Sequence, residues 1–202
     1  MTKIKLCGLT RPEDIAAANA LKPEYIGFVF APRSRRAVSR EKAAGLRAQL
    51  SPEIQTVGVF VNETPETVAR LLNEDLLTIA QLHGQEDAAY IARLRSLTPK
   101  PLWQAFRVED AASLAAAARS TADMVLLDSG AGGTGTVFNW KLLQGFPRPY
   151  ILAGGLDADN AANAVNRLHP DVVDVSSGIE TAWRKDPAKM AAFVAAVRKQ
   201  DE

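Results

Sequence analysis

Lys3, Lys5 and Cys7 alternate along the opening segment Lys3-Ile4-Lys5-Leu6-Cys7-Gly8. Residues two apart share one face of a strand, so the single cysteine has a lysine directly below it. A nearby ammonium favours the thiolate, which is the reactive form of cysteine. The competing reading is a small buried apolar side chain. Gly8 would let a ligand approach the backbone closely. Asp128 closes the apolar run Met124–Leu127 and precedes Gly130-Ala131-Gly132-Gly133-Thr134-Gly135. A carboxylate there either caps a loop or serves as a general acid or base. Gly154-Gly155 and Ser176-Ser177-Gly178 each follow an apolar run. Glycines bring backbone N–H groups close to phosphate oxygens and serines add donors; a pair of tight turns is the plainer account. Arg33, Arg35 and Arg36 form either a solvated loop or a clamp for a substrate carboxylate, which a planar guanidinium suits. His83, in Gln81-Leu82-His83-Gly84, reads as a structural or binding residue, and His169, beside Pro170, as a structural one.

These residues gain meaning from the elements that carry them. Ile4–Cys7, Tyr25–Phe30, Thr56–Val61, Thr78–Leu82, Leu102–Phe106, Met124–Asp128, Tyr150–Ala153 and Val172–Val175 read as eight strands. Helical segments follow each. The first is expected to be capped by Thr10 with Glu13 reaching back, the second by Ser39, and the third by Thr64 with Pro65 in the first turn. Others cover Glu86–Leu97, Asp110–Arg119, a short turn near Trp140, a segment capped at Asp157, and Asp186–Lys199. Several strands are continuous apolar runs, as parallel strands covered on both faces require. Eight strand–helix units predict one α/β domain over 1–202, a closed (β/α)₈ barrel; an open doubly wound sheet is the competitor. At about 25 residues per unit the loops must be short. In such a barrel the active site lies at the C-terminal ends of the strands, and phosphate sites recur after strands seven and eight. Cys7, Asp128, Gly154-Gly155 and Ser176–Gly178 all fall there.

Composition removes other classes. The chain has 202 residues, a net charge of +1, 47% hydrophobic and 23% charged residues, as an ordinary globular domain does. Near-neutral charge opposes a nucleic-acid binder held by phosphate contacts. One cysteine forms no internal disulfide, and two histidines with one cysteine are too few for a His- or Cys-rich metal site. No apolar run approaches the roughly 18 residues of a membrane span, and the N-terminus breaks too early for a secretory signal. A cytoplasmic protein is expected. Neither a GxxxxGK[ST] loop nor a GxGxxG after the first strand occurs, which excludes both nucleotide fingerprints.

Taken together, Lys5-Leu6-Cys7-Gly8-Leu9-Thr10, Gly27-Phe28-Val29-Phe30, Ser34-Arg35-Arg36, Val57–Asn62, Gln81–Gly84, Leu127-Asp128-Ser129 with Gly132–Gly135, Ala153–Leu156 and Val173–Glu180 resemble the phosphoribosylanthranilate isomerase family, in order, from about residue 3 to residue 194. The resemblance implies a (β/α)₈ barrel of tryptophan biosynthesis. Its reaction converts N-(5-phosphoribosyl)anthranilate to 1-(2-carboxyphenylamino)-1-deoxyribulose 5-phosphate by an Amadori rearrangement, with no metal and no organic cofactor. It also implies roles: Cys7 as general base, Asp128 as general acid, Arg36 on the anthranilate carboxylate, and Asp174 as a further active-site carboxylate. Gly154, Gly155, Ser176, Ser177 and Gly178 would hold phosphate, and His83 would bind substrate. Such roles call for opposed environments, with the Asp128 carboxyl shifted up and the Cys7 thiol shifted down. Asp174 shares strand parity with Ser176 and is expected to pair with Lys5, which would be costly inside the barrel alone. A monomer is expected, standing alone with free ends at Met1 and Glu202. Three positions depart from the family pattern: Thr136 where lysine is common, Asn139 where aspartate is usual, and Thr181–Asp186, which lacks Pro-Gly. A histidine-pathway isomerase acting on a related phosphoribosyl amine and a non-catalytic phosphosugar-binding barrel are the alternatives. Cys7 and the short chain oppose the first, and the intact Cys7 and Asp128 oppose the second.

Overall fold

A computed structural model describes residues 1–128 and 140–200. The glycine-rich segment, Thr136 and Asn139 lie outside the described residues. Strands and helices alternate: β1 (Lys3–Cys7), α1 (Pro12–Leu21), β2 (Tyr25–Val29), α2 (Arg40–Arg47), β3 (Gln55–Phe60), α3 (Pro65–Asn73), β4 (Ile79–Leu82), α4 (Ala88–Leu97), β5 (Leu102–Arg107), α5 (Ala111–Ala118) and β6 (Met124–Asp128). A 3₁₀ turn (Trp140–Leu143), β7 (Tyr150–Ala153), α6 (Ala161–Leu168), β8 (Val172–Val175), a two-stranded hairpin β9 (Glu180–Thr181) and β10 (Arg184–Lys185), and α7 (Pro187–Arg198) complete it. The eight strands β1 to β8 pair in sequence order, all parallel, and β1 closes on β8 with Lys5 opposite Asp174. The expected barrel is the observed one.

Two apolar layers follow from strand parity. Ile4 and Leu6 of β1, with Ile26, Phe28, Phe60 and Leu82, face outward onto helix residues such as Ile15, Val68, Leu72 and Phe193. The alternate set fills the barrel: Tyr25, Val57, Ile79, Trp103, Leu126, Ile151 and Val172 form one cluster. Tyr25 meets Trp103 edge to face, centroids 5.0 Å apart, a geometry that aromatic quadrupoles favour. Above this packed floor Cys7, Val29 and Val59 form a small upper cluster.

Local chemistry sets the helix starts, with two corrections. Ser39 and Thr64 accept from the backbone N–H of Lys42 and Thr67, as expected. At α1, Asp14 does the capping instead of Thr10 and Glu13. Its Oδ2 accepts from the N–H groups of Thr10 and Arg11 at 2.9 and 3.0 Å, and Arg11 neutralises it at 2.6 Å. The helix begins one residue late for Thr10 to cap it, and Glu13 points to solvent. At α6 the helix starts at Ala161, and Asp157 instead closes the preceding turn by accepting from Asp159 and Asn160 N–H. The hairpin β9–β10 was not foreseen. Its two central residues, Ala182 and Trp183, have φ of 48° and 64°, the conformation for which Asn-Gly is the usual signal.

Candidate active site

A cleft of about 620 Å³ opens at the C-terminal mouth of the barrel. Cys7, Arg36, His83, Asp128, Gly154, Gly155, Asp174, Ser176 and Ser177 all line it. Strands β1, β2, β4, β6, β7 and β8 and the segments that follow them bring these together at the open end of the barrel. Gly178, also expected there, is not among the lining residues. It packs behind the turn, where a Cβ would collide with the Leu156 carbonyl oxygen. Its lack of a side chain lets the turn pack closely there. Gly154 and Gly155 have φ of 89° and 65°, values that favour glycine, so the turn after β7 exposes backbone to the cleft.

Cys7 ends β1 and is 7% exposed. Gly27 on β2 makes room for it: a Cβ there would stand 2.6 Å from Sγ. Lys5, below it, is fully buried and donates to Asp174 Oδ2 at 2.9 Å, the pairing expected from parity. Burial alone would lower the Lys5 pKa, but the Asp174 charge and hydrogen bond and the nearby Cys7 raise it above its ordinary value. The Cys7 thiol goes the opposite way from expectation. Burial pushes its pKa up, and the opposing charges of Lys5 and Lys185 do not offset that while Asp174 adds to it. The expectation failed because the sulfur is removed from water, which penalises an anion, and because the Asp174 carboxylate beside Lys5 works against that lysine's favourable charge. Asp174 Oδ1 is buried with no hydrogen-bond partner and belongs to a cleft-lining residue, so an acceptor stands ready there.

Asp128 ends β6. His83 Nε2 lies 3.7 Å from its Oδ2. Gln81 Nε2 sits 3.0 Å from His83 Nδ1; with the amide donating, Nδ1 is the acceptor and the ring proton sits on Nε2, facing Asp128. The loop that carries His83 is held by Glu86, whose carboxylate accepts from Asn62 and Gly84 N–H at 2.7 and 2.8 Å. Of the three arginines after β2, only Arg36 lines the cleft. Its Nε and Nη2 donate to the two oxygens of Glu180 at 2.6 and 2.7 Å. The Arg35 guanidinium lies over the exposed Trp183 ring, 4.4 Å from its centroid.

Four polar groups escaped the sequence reading. Gln81 and Arg107 line the cleft, and strand parity with His83 and Trp103 was the available signal. Glu180 closes the Val173–Glu180 segment that carries the resemblance, but nothing in the sequence pairs it with Lys185, because the hairpin turn between them lacks turn residues. Lys185 Nζ donates to Glu180 Oε1 at 2.6 Å, to the Ser176 carbonyl at 2.8 Å and to Ser176 Oγ at 3.2 Å. Burial would raise the Glu180 carboxyl, but hydrogen bonds from Arg36 and Lys185 hold it below its ordinary value. Burial lowers Lys185 despite the Glu180 contact. The cleft thus offers a thiol, a carboxyl three strands away around the ring, a cationic rim and a glycine–serine floor for an anion. No cluster of metal-ligating side chains occurs among the described residues.

Comparison with known proteins points the same way. The family model for N-(5'-phosphoribosyl)anthranilate (PRA) isomerase matches residues 4–196. An N-(5'-phosphoribosyl)anthranilate isomerase of Dechloromonas aromatica is 47% identical over 209 residues, covering 100% of this chain and 98% of the relative. The crystal structure of phosphoribosyl anthranilate isomerase from Thermotoga maritima superposes with a TM-score of 0.90 at 30% identity, over 98% of this chain and 100% of that one. A phosphoribosyl anthranilate isomerase in complex with reduced 1-(o-carboxyphenylamino)-1-deoxyribulose 5-phosphate superposes with a TM-score of 0.88, also at 30% identity and over 98% and 100% of the two chains.

Proposed function

The chain belongs to the N-(5'-phosphoribosyl)anthranilate isomerase family, an aldose–ketose isomerase of tryptophan biosynthesis, and from that premise we propose how its cleft performs the rearrangement. Asp128 acts as the general acid. Its carboxyl protonates the furanose ring oxygen, the ring opens, and the anilino nitrogen becomes an iminium. Cys7 acts as the general base: its thiolate removes the C2′ proton, giving an enolamine that tautomerises to the ketone. Each transfer by a positioned group is worth about 10²–10⁴-fold. The observation that carries this reading is the presentation of both groups to one cleft from β1 and β6, so that a sugar between them meets the acid and the base from different sides.

The remaining groups bind. Arg36 meets the anthranilate carboxylate. The turns at Gly154-Gly155 and Ser176-Ser177 take the phosphate through N–H and hydroxyl donors. Asp174 Oδ1 accepts from a sugar hydroxyl while Oδ2 stays with Lys5. His83, its proton on Nε2, faces Asp128 and orients the acid. The raised thiol pKa makes the thiolate scarce near neutrality, so the base half of the reaction should strengthen as pH rises. Every group named comes from one chain, so the site needs no second subunit and a monomer can act alone; the biosynthetic role supports the cytoplasm. The test is turnover of enzymatically generated phosphoribosylanthranilate, followed by loss of its fluorescence. Folded protein without turnover would overturn the assignment.

A further inference from the structure

The arginine that would grip the substrate carboxylate has a buried carboxylate bonded to it already. Glu180 takes the Nε proton and one Nη2 proton of Arg36 out of its five N–H donors. By charge alone, Arg36 and Glu180 sum to zero, a poor receptor for an anion. The third member changes the sum. Lys185 is 2% exposed and Glu180 6%, so solvent screens neither charge strongly. Arg36, Glu180 and Lys185 together carry one net positive charge. All three ammonium protons of Lys185 have acceptors, one on Glu180 and two on Ser176, and Ser176 Oγ in turn donates to the Cys7 carbonyl. The same ammonium therefore ties the carboxylate-binding end of the cleft to the turn after β8.

We propose that Lys185 and Glu180 are positioning residues for substrate recognition: Glu180 fixes the Arg36 guanidinium by two bonds, and Lys185 restores the positive charge that Glu180 would cancel, making the site selective for a carboxylated aryl amine. The inference rests on the reading of Arg36 as the carboxylate-binding group. A purely structural role for Lys185, neutralising a buried acid, would affect every substrate alike. The charge role affects only a substrate bearing the carboxylate.

Two substrates separate these: phosphoribosylanthranilate and its carboxylate-free analogue, N-(5-phosphoribosyl)aniline. Lys185→Met is expected to raise KM for the first roughly tenfold, the scale of one unit charge at about 10 Å in an effective dielectric of about 20. KM for the aniline analogue should stay near that of the unmodified protein, with any change in kcat common to both. The double variant Glu180→Gln/Lys185→Met leaves Arg36 with an uncancelled charge and one acceptor, and should recover most of the lost KM. Equal losses on both substrates, or a double variant as weak as the single one, would overturn the proposal. If Lys185→Met does not fold, the double variant decides by itself, since a KM raised about tenfold for the carboxylated substrate alone then contradicts the charge argument. Failure of the underlying reading looks different: Arg36→Met would leave KM for phosphoribosylanthranilate unchanged, and failure of the functional assignment would leave the unmodified protein without turnover.

Discussion

Asp174→Asn would leave Lys5 charged, wholly buried and without its anion. In the native protein the 2.9 Å contact to Asp174 Oδ2 is the ion pair that holds this ammonium inside the barrel. Removing one partner of a buried pair costs about 3–5 kcal/mol. A second route gives the same size. The largest influence on Lys5 is desolvation, which lowers its pKa and which Asp174 chiefly opposes. Without Asp174, folding would expel a proton from an amine whose ordinary pKa is about 10.4, costing at most about 4.6 kcal/mol at about pH 7. For a domain of this size that corresponds to a melting temperature lower by about 6–20 °C. The sign of the pH dependence is diagnostic. In the native protein the Lys5 pKa is raised, so its contribution is fully present below the ordinary value and is lost as pH rises through the folded one. In the variant the folded pKa is depressed, so stability climbs with pH up to the ordinary value. The difference between the two proteins should therefore shrink by up to about 1.4 kcal/mol per pH unit, to about 2 kcal/mol near pH 9. Transfer of the Cys7 proton to Lys5 would not alter this slope below about pH 8.5, because the pair would still bind one proton fewer than the unfolded chain. Urea denaturation of both proteins across that range measures it. A difference below about 1 kcal/mol near pH 7, or one that does not change with pH, would refute the account of Lys5 as a buried ion held by Asp174.

The Cys7 thiol should titrate above the ordinary value of about 8.5 in the free protein, because burial outweighs the two nearby ammonium groups; thiolate absorbance against pH, corrected with Cys7→Ser, measures it, and a lower value would restore the expectation of an activated thiolate. Asp128→Asn and Cys7→Ala should each lower kcat by about 10²–10⁴-fold with much smaller effects on binding; steady-state kinetics with near-normal kcat in either variant would remove that residue from its role. Arg36→Met should act mainly on KM for phosphoribosylanthranilate, and an unchanged KM would move the carboxylate to another cation such as Arg107, which also lines the cleft.

Much of the architecture was legible because each rule involved is local or periodic. Eight apolar runs alternating with helical ones admit few parallel topologies, and the barrel follows from their number. The helix starts at Ser39 and Thr64 were legible for the same reason: a hydroxyl and the N–H three residues on are near in sequence. Period-two parity alone placed Lys5 and Asp174 on the interior. What parity does not supply is a neighbour's distance. Only barrel closure sets β1 beside β8 in the register that pairs them.

Thr10 and Asp157 looked like caps, but Asp14 takes the orphan N–H groups at α1, and α6 begins after Asn160 with no side-chain cap while Asp157 closes the turn before it. The Cys7 shift was argued from one lysine two residues away, whereas the thiol pKa depends on removal from water and on charges brought in from β8 and the hairpin. Glu180 and Lys185 were invisible as a pair, since their hairpin turns at Ala182-Trp183 with positive φ at residues that do not announce a turn. The amino-acid sequence by itself determined the strands, the inward set of side chains and the family to which they belong, because these depend on periodicity and on residue type. The tertiary structure decided which charges meet, how dry they are and hence what state each takes, because electrostatic energy depends on distance and solvent in three dimensions and neither is encoded locally.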